Sequence, residues 1–360
     1  MAYTLALRPS APALSRPQRV LLKVEGERIV DVEYRPDAGG GELFGRVDRM
    51  GFEQMVAAVA TACPSCGVAH ATALCQAVEA LAGLAVPARA AALRLLAAEL
   101  ERAASHLATA GAIFGALGLP GAAEAFAAEG RAAREALLRL AGDPPGSWIV
   151  PGGVARDPDD EGRGALARAA AEALDRLFAA ADRSLTQRPL LARTVEVGVI
   201  SAGAAEQFRL AGPLARAAGL RGDLRLDAPY GAYDDFRPEL VTQEGGDVYA
   251  RMMVFILEAL ESLKLAGRVA RELPEGATRG ELPAALPAGG AAGATEAPRG
   301  PVRYRVEADG RRLVAVSCAP APQLDRLLAR AVMVDAALDN AALIVVSTDP
   351  CDTCLGMANT

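Results

Sequence analysis

Hydrophobic residues recur along most of the chain at intervals of three and four positions, the spacing of one face of an α-helix. The pattern predicts long helices that begin just after residue 66, at Pro87, near residue 121 and near residue 163, and another over 246–272. Pro87 suits the first turn of a helix, because its backbone angle is already helical and its missing N–H would have no partner there. Long helices therefore dominate the predicted fold.

Alternating apolar and polar positions mark shorter stretches. Residues 18–34 alternate around a glycine and residues 302–318 around an Asp-Gly pair, and each pattern predicts a β-hairpin. The mixed segment 193–245 predicts loops and short helices, and a further helix is expected near 321–336. The apolar run 342–347 predicts a short strand. The predicted fold class is mainly α, a long-helix bundle with small β-hairpin appendages.

The order of these elements gives the domain organisation. We interpret residues 1–360 as a single domain with an N-terminal β-rich segment over 1–45. Residues 274–300 are rich in Pro, Gly and Ala, a composition typical of a flexible surface loop.

Composition narrows the class of protein further. Hydrophobic residues make up 52% of the 360 residues but aromatic residues only 4%, so the core is built mostly from Ala, Leu and Val. A net charge of −6 without a Lys/Arg cluster argues against a nucleic-acid partner. No apolar run reaches the ~20 residues of a transmembrane helix, and the first residues do not resemble a signal peptide. We therefore expect a cytoplasmic chain without a direct transmembrane span.

Four of the 6 cysteines form two C-x-x-C pairs, Cys63 with Cys66 and Cys351 with Cys354. In a reducing compartment such pairs bind metals or carry out redox chemistry more often than they form disulfides. Zinc ribbons place their two pairs ~12–20 residues apart, whereas positions 66 and 351 differ by 285. A metal site that ties the chain's end to its first quarter is the main interpretation, and structural zinc remains an alternative. The other two cysteines, Cys75 and Cys318, are expected to be small buried hydrophobic residues.

Several ionisable residues near these pairs have two interpretations each. His70 follows Cys66 by four residues and shares its helix face, so it either acts beside the metal or packs in the core. His106 either bonds to a neighbouring acid or, with Glu101, belongs to a proton path. Four residues at helical spacing are expected to form intrahelical ion pairs: Arg89, Arg94, Glu99 and Arg102.

Specific segments resemble a known family. The stretch CPSCGVAH at 63–70 resembles the first cysteine motif of the nickel–iron hydrogenase large subunit, and DPCDTC at 349–354 resembles the second. Between them, VPGGVARD, EGGDVYARMMVFILEALES and EAPRGPVRYRV resemble the energy-converting branch of that family, which is related to the quinone-site subunit of respiratory complex I. The resemblance covers nearly the whole chain in the expected order.

The resemblance implies a fold like the hydrogenase large subunit and a set of cofactors. Cys63, Cys66, Cys351 and Cys354 would bind nickel, and Cys66 and Cys354 would also bridge to an iron that carries carbon monoxide and cyanide. It also allows for a magnesium ion. The implied reaction is the reversible oxidation of dihydrogen to protons and electrons.

The resemblance implies partners as well. Electrons would pass to a small iron–sulfur subunit. Antiporter-like membrane subunits would belong to the same complex, and maturation proteins would assemble the metal centre. The chain would then lie in the cytoplasm, peripheral to the inner membrane. Four residues are expected to support the site near the partner interface: Asp223, Arg225, Tyr230 and Tyr233.

The chain departs from the family pattern at its proton relay. Arg16 occupies the position at which the energy-converting branch has a glutamate, and an arginine does not act as a general base. Glu53 is the best nearby replacement from sequence, with a surface carboxylate as the alternative interpretation. Glu53 and His70 are therefore the predicted catalytic residues. A second hypothesis is a catalytically altered subunit that serves as a redox-coupling or structural module of a complex I-like assembly, and a third is a zinc-stabilised helical protein.

Overall fold

The structure is a computed structural model that describes residues 2–37, 50–283 and 285–357. The helices are α1 Phe52–Ala62, α2 Gly67–Ala82, α3 Ala88–Ala116, α4 Pro120–Ala141, α5 Asp160–Leu185, α6 Arg188–Thr194, α7 Ala202–Gln207, α8 Gly212–Ala217, α9 Leu224–Asp227, α10 Val248–Arg271, α11 Arg326–Met333, α12 Ala341–Ser347 and α13 Asp352–Met357. The strands are β1 Ala2–Leu7, β2 Val20–Glu25, β3 Arg28–Tyr34, β4 Ile149–Val150, β5 Gly153–Val154, β6 Gly289–Ala297, β7 Gly300–Ala308 and β8 Leu313–Ala319.

Four long helices form the centre of the fold. Helix α3 packs against α4 and α10, and α5 packs against the same two helices. Small residues allow this close approach: a Cβ on Gly111 of α3 would lie 3.0 Å from the Ala123 carbonyl oxygen of α4. The predicted long helices are confirmed, and their ends lie within a few residues of the predicted ends. N-cap residues fix where helices begin; the Asp247 side chain, for example, accepts the Ala250 N–H at the start of α10.

Two three-stranded antiparallel sheets flank the helices. The predicted hairpins over 18–34 and 302–318 are confirmed as β2–β3 and β7–β8. Each pair gains a third strand, since β1 pairs with β2 and β6 pairs with β7. Residues 38–45 of the predicted N-terminal β-rich segment lie outside the described residues.

Two predictions of local structure are wrong. Residues 289–297, within the predicted surface loop 274–300, form strand β6. Their lack of side-chain bulk is the reason: β6 packs directly on α2, and a Cβ on Gly293 would lie 2.2 Å from the Ala73 carbonyl oxygen. The predicted strand 342–347 lies within helix α12, where its apolar residues are buried against α3 and α10. A short apolar run suits a buried helix as well as a strand.

The contact between β6 and α2 gives a first testable prediction. Gly293→Ala is expected to lower stability by about 1–3 kcal/mol, because the new methyl group overlaps the α2 backbone. The matched control is Gly121→Ala in α4, where an added Cβ meets no described heavy atom within 4 Å. Thermal denaturation of both variants measures the effect. An unchanged melting temperature in Gly293→Ala would contradict the packing of β6 on α2.

None of the helices in the described part of the chain combines the length and the apolar character needed to cross a membrane.

Candidate metal centre

The fold brings the two distant cysteine pairs into one buried cluster. Cys63 follows the last residue of α1, Cys66 caps the start of α2, and Cys351 and Cys354 lie at the start of α13. The Sγ atoms of Cys63 and Cys351 are 3.8 Å apart, those of Cys66 and Cys354 are 3.7 Å apart, and those of Cys63 and Cys66 are 2.8 Å apart. All four residues are at most 3% exposed.

Tight backbone packing holds the loop that carries the first pair. A Cβ on Gly67 would lie 2.3 Å from the carbonyl oxygen of Ala60 in α1, so only glycine fits directly after Cys66. Arg134 of α4 donates a hydrogen bond to the Pro64 carbonyl oxygen at 3.3 Å. Helix α1, helix α4 and the loop therefore position Cys63 and Cys66 together.

Arg299 provides a positive charge beside the cluster. It lies between β6 and β7, donates to the Asp349 carbonyl oxygen at 3.1 Å, and pairs with the Asp349 carboxylate at 3.0 Å. Thr109 also donates to that carboxylate, at 2.9 Å. The Arg299 guanidinium is buried, and its Nη1 has no hydrogen-bond partner among the described residues.

The cysteine thiols differ in acidity. Hydrogen bonds from Cys354, Cys63 and Cys66, together with the Arg299 charge, hold the pKa of Cys351 well below its ordinary value. The pKa of Cys66 and the pKa of Cys354 are raised well above the ordinary value, chiefly by their hydrogen bonds to Cys351. A cluster that already favours one thiolate, beside a buried cation, is suited to bind a metal ion as thiolates.

The N-terminal segment is anchored to the second cysteine pair. The Asp352 carboxylate accepts hydrogen bonds from the Ser15 hydroxyl at 2.9 Å and from the backbone N–H of Arg16 at 2.8 Å. The Arg16 side chain points away toward Asp37, 3.5 Å from its carboxylate, and is about half exposed. The backbone of Arg16 is therefore next to the cluster, but its side chain is not.

The two predicted catalytic residues have different surroundings. His70 is fully buried, and its Nε2 lies 3.5 Å from the Cys354 Sγ while its Nδ1 lies 2.8 Å from the Tyr304 hydroxyl. Burial lowers the pKa of His70 to about 4. Glu53 lies in the first turn of α1, at the far end from Cys63, with an exposed side chain 3.5 Å from Arg279. The structure thus brings His70 to the cluster and leaves Glu53 at the surface.

The donor set fits a metal centre. Thiolates around one ion with metal–sulfur bonds of ~2.3 Å are about 3.8 Å apart in a tetrahedron, and two of the sulfur pairs are separated by 3.7 and 3.8 Å. Cys66, His70 and Cys354 form a second group of potential ligands that overlaps the first. Arg299 Nη1, which has no hydrogen-bond partner among the described residues, leaves one buried donor available beside the cluster. Sulfur geometry alone suits zinc as well as nickel or iron.

A buried ionic network supports the helices behind the cluster. Arg225 bonds to Glu99 at 3.1 Å and to Asp223 at 2.7 Å, and the Tyr233 hydroxyl donates to Glu99 at 2.5 Å. The expected intrahelical ion pairs are wrong for Arg89 and Arg94, which pair with Asp157 and Glu79 outside α3. The expectation is confirmed for Glu99 and Arg102, which lie 3.6 Å apart within α3, and each also has a tertiary partner, Arg225 for Glu99 and Glu258 for Arg102.

The remaining residues of interest also have tertiary partners. His106 Nε2 lies 3.0 Å from a Glu258 carboxylate oxygen of α10, and the Tyr230 hydroxyl accepts the Glu296 N–H. Cys75 and Cys318 are buried away from the cluster, as far as the structure describes its contacts.

Sequence reasoning missed three residues that contact the site. Arg299 lies within the family-like segment EAPRG, so its neighbourhood gave a signal, but no role followed from the sequence. Asp352 lies between the last two cysteines. Its hydrogen bonds with Ser15 and Arg16 join residues that are more than 330 positions apart in the sequence, so they depend on the tertiary fold. Tyr304 lies in the same family-like segment as Arg299, but no role followed from it because its contact with His70 requires β7 to pack on α2.

Comparisons with known proteins show relatives along nearly the whole chain. A family profile described as the respiratory-chain NADH dehydrogenase 49 Kd subunit matches residues 134–287. The carbon monoxide-induced hydrogenase of Rhodospirillum rubrum is 30% identical over 98% of this chain and 98% of its own length. A subunit of the NADH-quinone oxidoreductase of Clostridium beijerinckii is 31% identical over 85% of this chain and 84% of its own length.

Two further relatives extend the comparison. Formate hydrogenlyase subunit 5 of Escherichia coli is 28% identical over 94% of this chain, and this chain spans 60% of that protein's length. Among solved structures, a chain of the membrane-bound sulfane sulfur reductase, an archaeal respiratory membrane complex, superposes with a TM-score of 0.90. That match covers 100% of this chain and 98% of the other at 22% sequence identity, and it shows a shared fold.

Proposed function

The chain belongs to the complex I-related, energy-converting branch of the nickel–iron hydrogenase large-subunit family, and we propose that it is the catalytic subunit of such a hydrogenase. The proposed reaction is the reversible conversion of dihydrogen into two protons and two electrons. The observation that carries this proposal is the buried cluster of Cys63, Cys66, Cys351 and Cys354 beside Arg299, whose Nη1 has no hydrogen-bond partner in the described part of the chain.

The four cysteines are the proposed ligands of nickel, and Cys66 and Cys354 are the proposed bridges to iron. A thiolate-bound nickel–iron centre supplies redox chemistry that no protein side chain provides. The chain buries the thiolates and so excludes bulk water. Arg299 offsets their negative charge, Asp349 orients Arg299 through two hydrogen bonds, and Asp352 fixes the N-terminal segment over the site.

The proposed partners follow from the relatives and from the cysteine inventory. Two relatives are named as subunits of NADH-quinone oxidoreductase and formate hydrogenlyase, and the structural neighbour belongs to a membrane complex. Four of this chain's 6 cysteines lie in the cluster, and an iron–sulfur cluster needs about four more ligands. We therefore assign electron transfer to a small iron–sulfur partner, membrane attachment to antiporter-like subunits, and metal insertion to maturation proteins, with this chain on the cytoplasmic side.

Metal analysis of the complex tests the proposal. The chain is produced with its partner subunit and maturation proteins, and nickel, iron and zinc are measured per chain together with the infrared stretching bands of carbonyl and cyanide. We expect one nickel per chain, iron in excess of nickel because the partner's iron–sulfur cluster adds its own, both diatomic ligand bands, and exchange of dihydrogen with deuterated water. Stoichiometric zinc without nickel would show that the site is structural.

The second hypothesis, a module without hydrogen chemistry, also has support in the structure. The position of the relay glutamate is occupied by Arg16, and Glu53 is exposed at the opposite end of α1. A complex that contains nickel and iron but shows no hydrogen–deuterium exchange would establish that hypothesis and reject the first.

A further inference from the structure

A crevice of about 310 Å³ leads from the surface to the first cysteine loop. Helices α3 and α4 form its two long sides, and Pro12, Pro64 and Ser65 complete its lining. Arg131 lines it at the exposed side, whereas Glu101 and Ser105 of α3 are buried and form its polar floor.

Both polar residues on the floor contact the surroundings of the cysteine cluster. The two Glu101 carboxylate oxygens accept the backbone N–H groups of Val68 at 2.8 Å and Ala69 at 3.0 Å. Val68 is two residues beyond Cys66, so their Cα atoms are at most about 7 Å apart. On the other side, the Ser105 hydroxyl accepts a hydrogen bond from Arg299 at 3.2 Å. The floor of the crevice therefore contacts the backbone that follows Cys66 and the arginine beside the cluster.

Among the carboxylates described near the cluster, Glu101 is the best placed to carry protons. Asp349 is bonded to Arg299 and Thr109 and does not line the crevice. Asp352 is engaged by three donors of the N-terminal segment and does not line the crevice. Glu101 has no side-chain cation at hydrogen-bond distance in the described structure, although Arg134, Arg131 and Arg102 are nearby.

We propose that Glu101 relays protons between the cysteine-bound centre and water in this crevice, in place of the acid that Arg16 replaces. This inference rests on the proposed function. In each transfer the carboxylate accepts one proton from the site, becomes a neutral acid, and releases that proton to water, which restores its charge. Two such transfers carry away the two protons of one dihydrogen, while its two electrons leave through the iron–sulfur partner.

The first test needs no metal. Infrared difference spectra of metal-free wild-type protein minus Glu101→Gln should show the carbonyl band of one neutral carboxylic acid that titrates above the ordinary range for glutamate, because burial raises the pKa of Glu101. The band should shift when water is replaced by deuterated water. Ala108→Leu, which fills the crevice, should slow that shift. The absence of a titrating, exchangeable band would overturn the proposal.

The second test uses the metal-loaded complex. Exchange of dihydrogen with deuterated water should fall about 100-fold or more in Glu101→Gln, the usual range for loss of an acid–base group. Conversion of para- to ortho-hydrogen should persist, because it requires cleavage and re-formation of the H–H bond in the site but no proton exchange with water. Loss of both reactions would make Glu101 a structural cap of α2, and loss of neither would make it dispensable; each result overturns the proposal.

A matched control separates this effect from the loss of any buried carboxylate. Glu129 of α4 is 9% exposed and pairs with Arg176 of α5, away from the crevice. Glu129→Gln should retain both hydrogen reactions. If the wild-type complex contains no nickel, the proposed function fails, and the infrared titration alone then decides whether Glu101 exchanges protons through the crevice.

Discussion

Replacing Cys354 by serine is expected to abolish nickel binding and hydrogen–deuterium exchange, the largest effect that the structure predicts. Cys354 Sγ lies 3.7 Å from Cys66 Sγ and 3.5 Å from His70 Nε2, so it joins the second cysteine pair to the residues of the first motif. A serine hydroxyl stays protonated at neutral pH and is a poor ligand for a soft metal. Because losing even an outer contact costs ~10–100-fold in metal affinity, losing a ligand should leave little nickel. Elemental analysis of the purified complex measures the result.

Cys75→Ala is the matched control for that variant. Cys75, in α2, is a buried thiol like Cys354. In the part of the chain that the structure describes it lies outside the cluster, and burial raises its pKa to about 12. We expect a small loss of stability, about 1 kcal/mol, with full nickel content. Wild-type nickel content in Cys354→Ser would rule out the four-cysteine site.

Replacing Arg216 by methionine is expected to cause the largest loss of stability. Arg216 is fully buried and lies 2.6 Å from Glu258, 2.9 Å from Glu296 and 3.6 Å from Asp223. Methionine fills much of the space but removes the cation 2.9 Å from Glu296 and one of the cations near Glu258 and Asp223, and breaking a buried ion pair typically costs about 3–5 kcal/mol. Urea denaturation measures the loss. Arg131→Met, which removes the exposed pair with Glu124, should change stability by less than ~1 kcal/mol.

The stability difference between wild type and Arg216→Met should depend on pH. Although burial by itself raises the pKa of Asp223, Arg225 and Arg216 lower it to about 2 in the folded state. The stabilisation that this carboxylate provides is present above its unfolded pKa of ~3.9 and is lost as the pH falls through about 2. The difference should therefore shrink between pH 4 and pH 2, because protonation of Asp223 removes its attraction to Arg216 in the wild type, whereas the variant keeps only the pair with Arg225. A constant difference would show that Arg216 stabilises by packing alone.

The periodic segments of the fold were predictable from the sequence. Helix α10 and the β7–β8 hairpin follow their hydrophobic patterns because each buries one face against a continuous core. The sequence patterns gave the wrong secondary structure for β6 and α12, because packing against neighbouring elements determines the structure of these two segments. Gly293 indicates a loop by composition, yet the same lack of a side chain lets β6 lie on α2. The apolar residues of α12 are buried all round, so their periodicity carries no information.

The four cysteines of the candidate site could be predicted from the sequence, but the residues that surround them could not. Cys63, Cys66, Cys351 and Cys354 stand out because paired thiols at this spacing are rare by chance, and the structure places their sulfurs together. Glu53 was chosen because it lies near Cys63 in sequence, but the rise of α1 carries it about 15 Å away. Glu101 is far from Cys66 in sequence, and only the packing of α3 on the start of α2 brings them together.

The sequence by itself determined the long helices, the two hairpins, the four cysteines proposed as ligands and the family, because these depend on local periodicity and on residue types at fixed spacing. Tertiary structure alone decided that "TACPSCGVAH" and "DPCDTC" meet beside Arg299, and that Glu101 forms the floor of a water-accessible crevice. The physical reason is that charge pairing and solvent access depend on which helices pack together. Helices α3 and α4, remote in sequence from both cysteine pairs, provide the crevice and its acid.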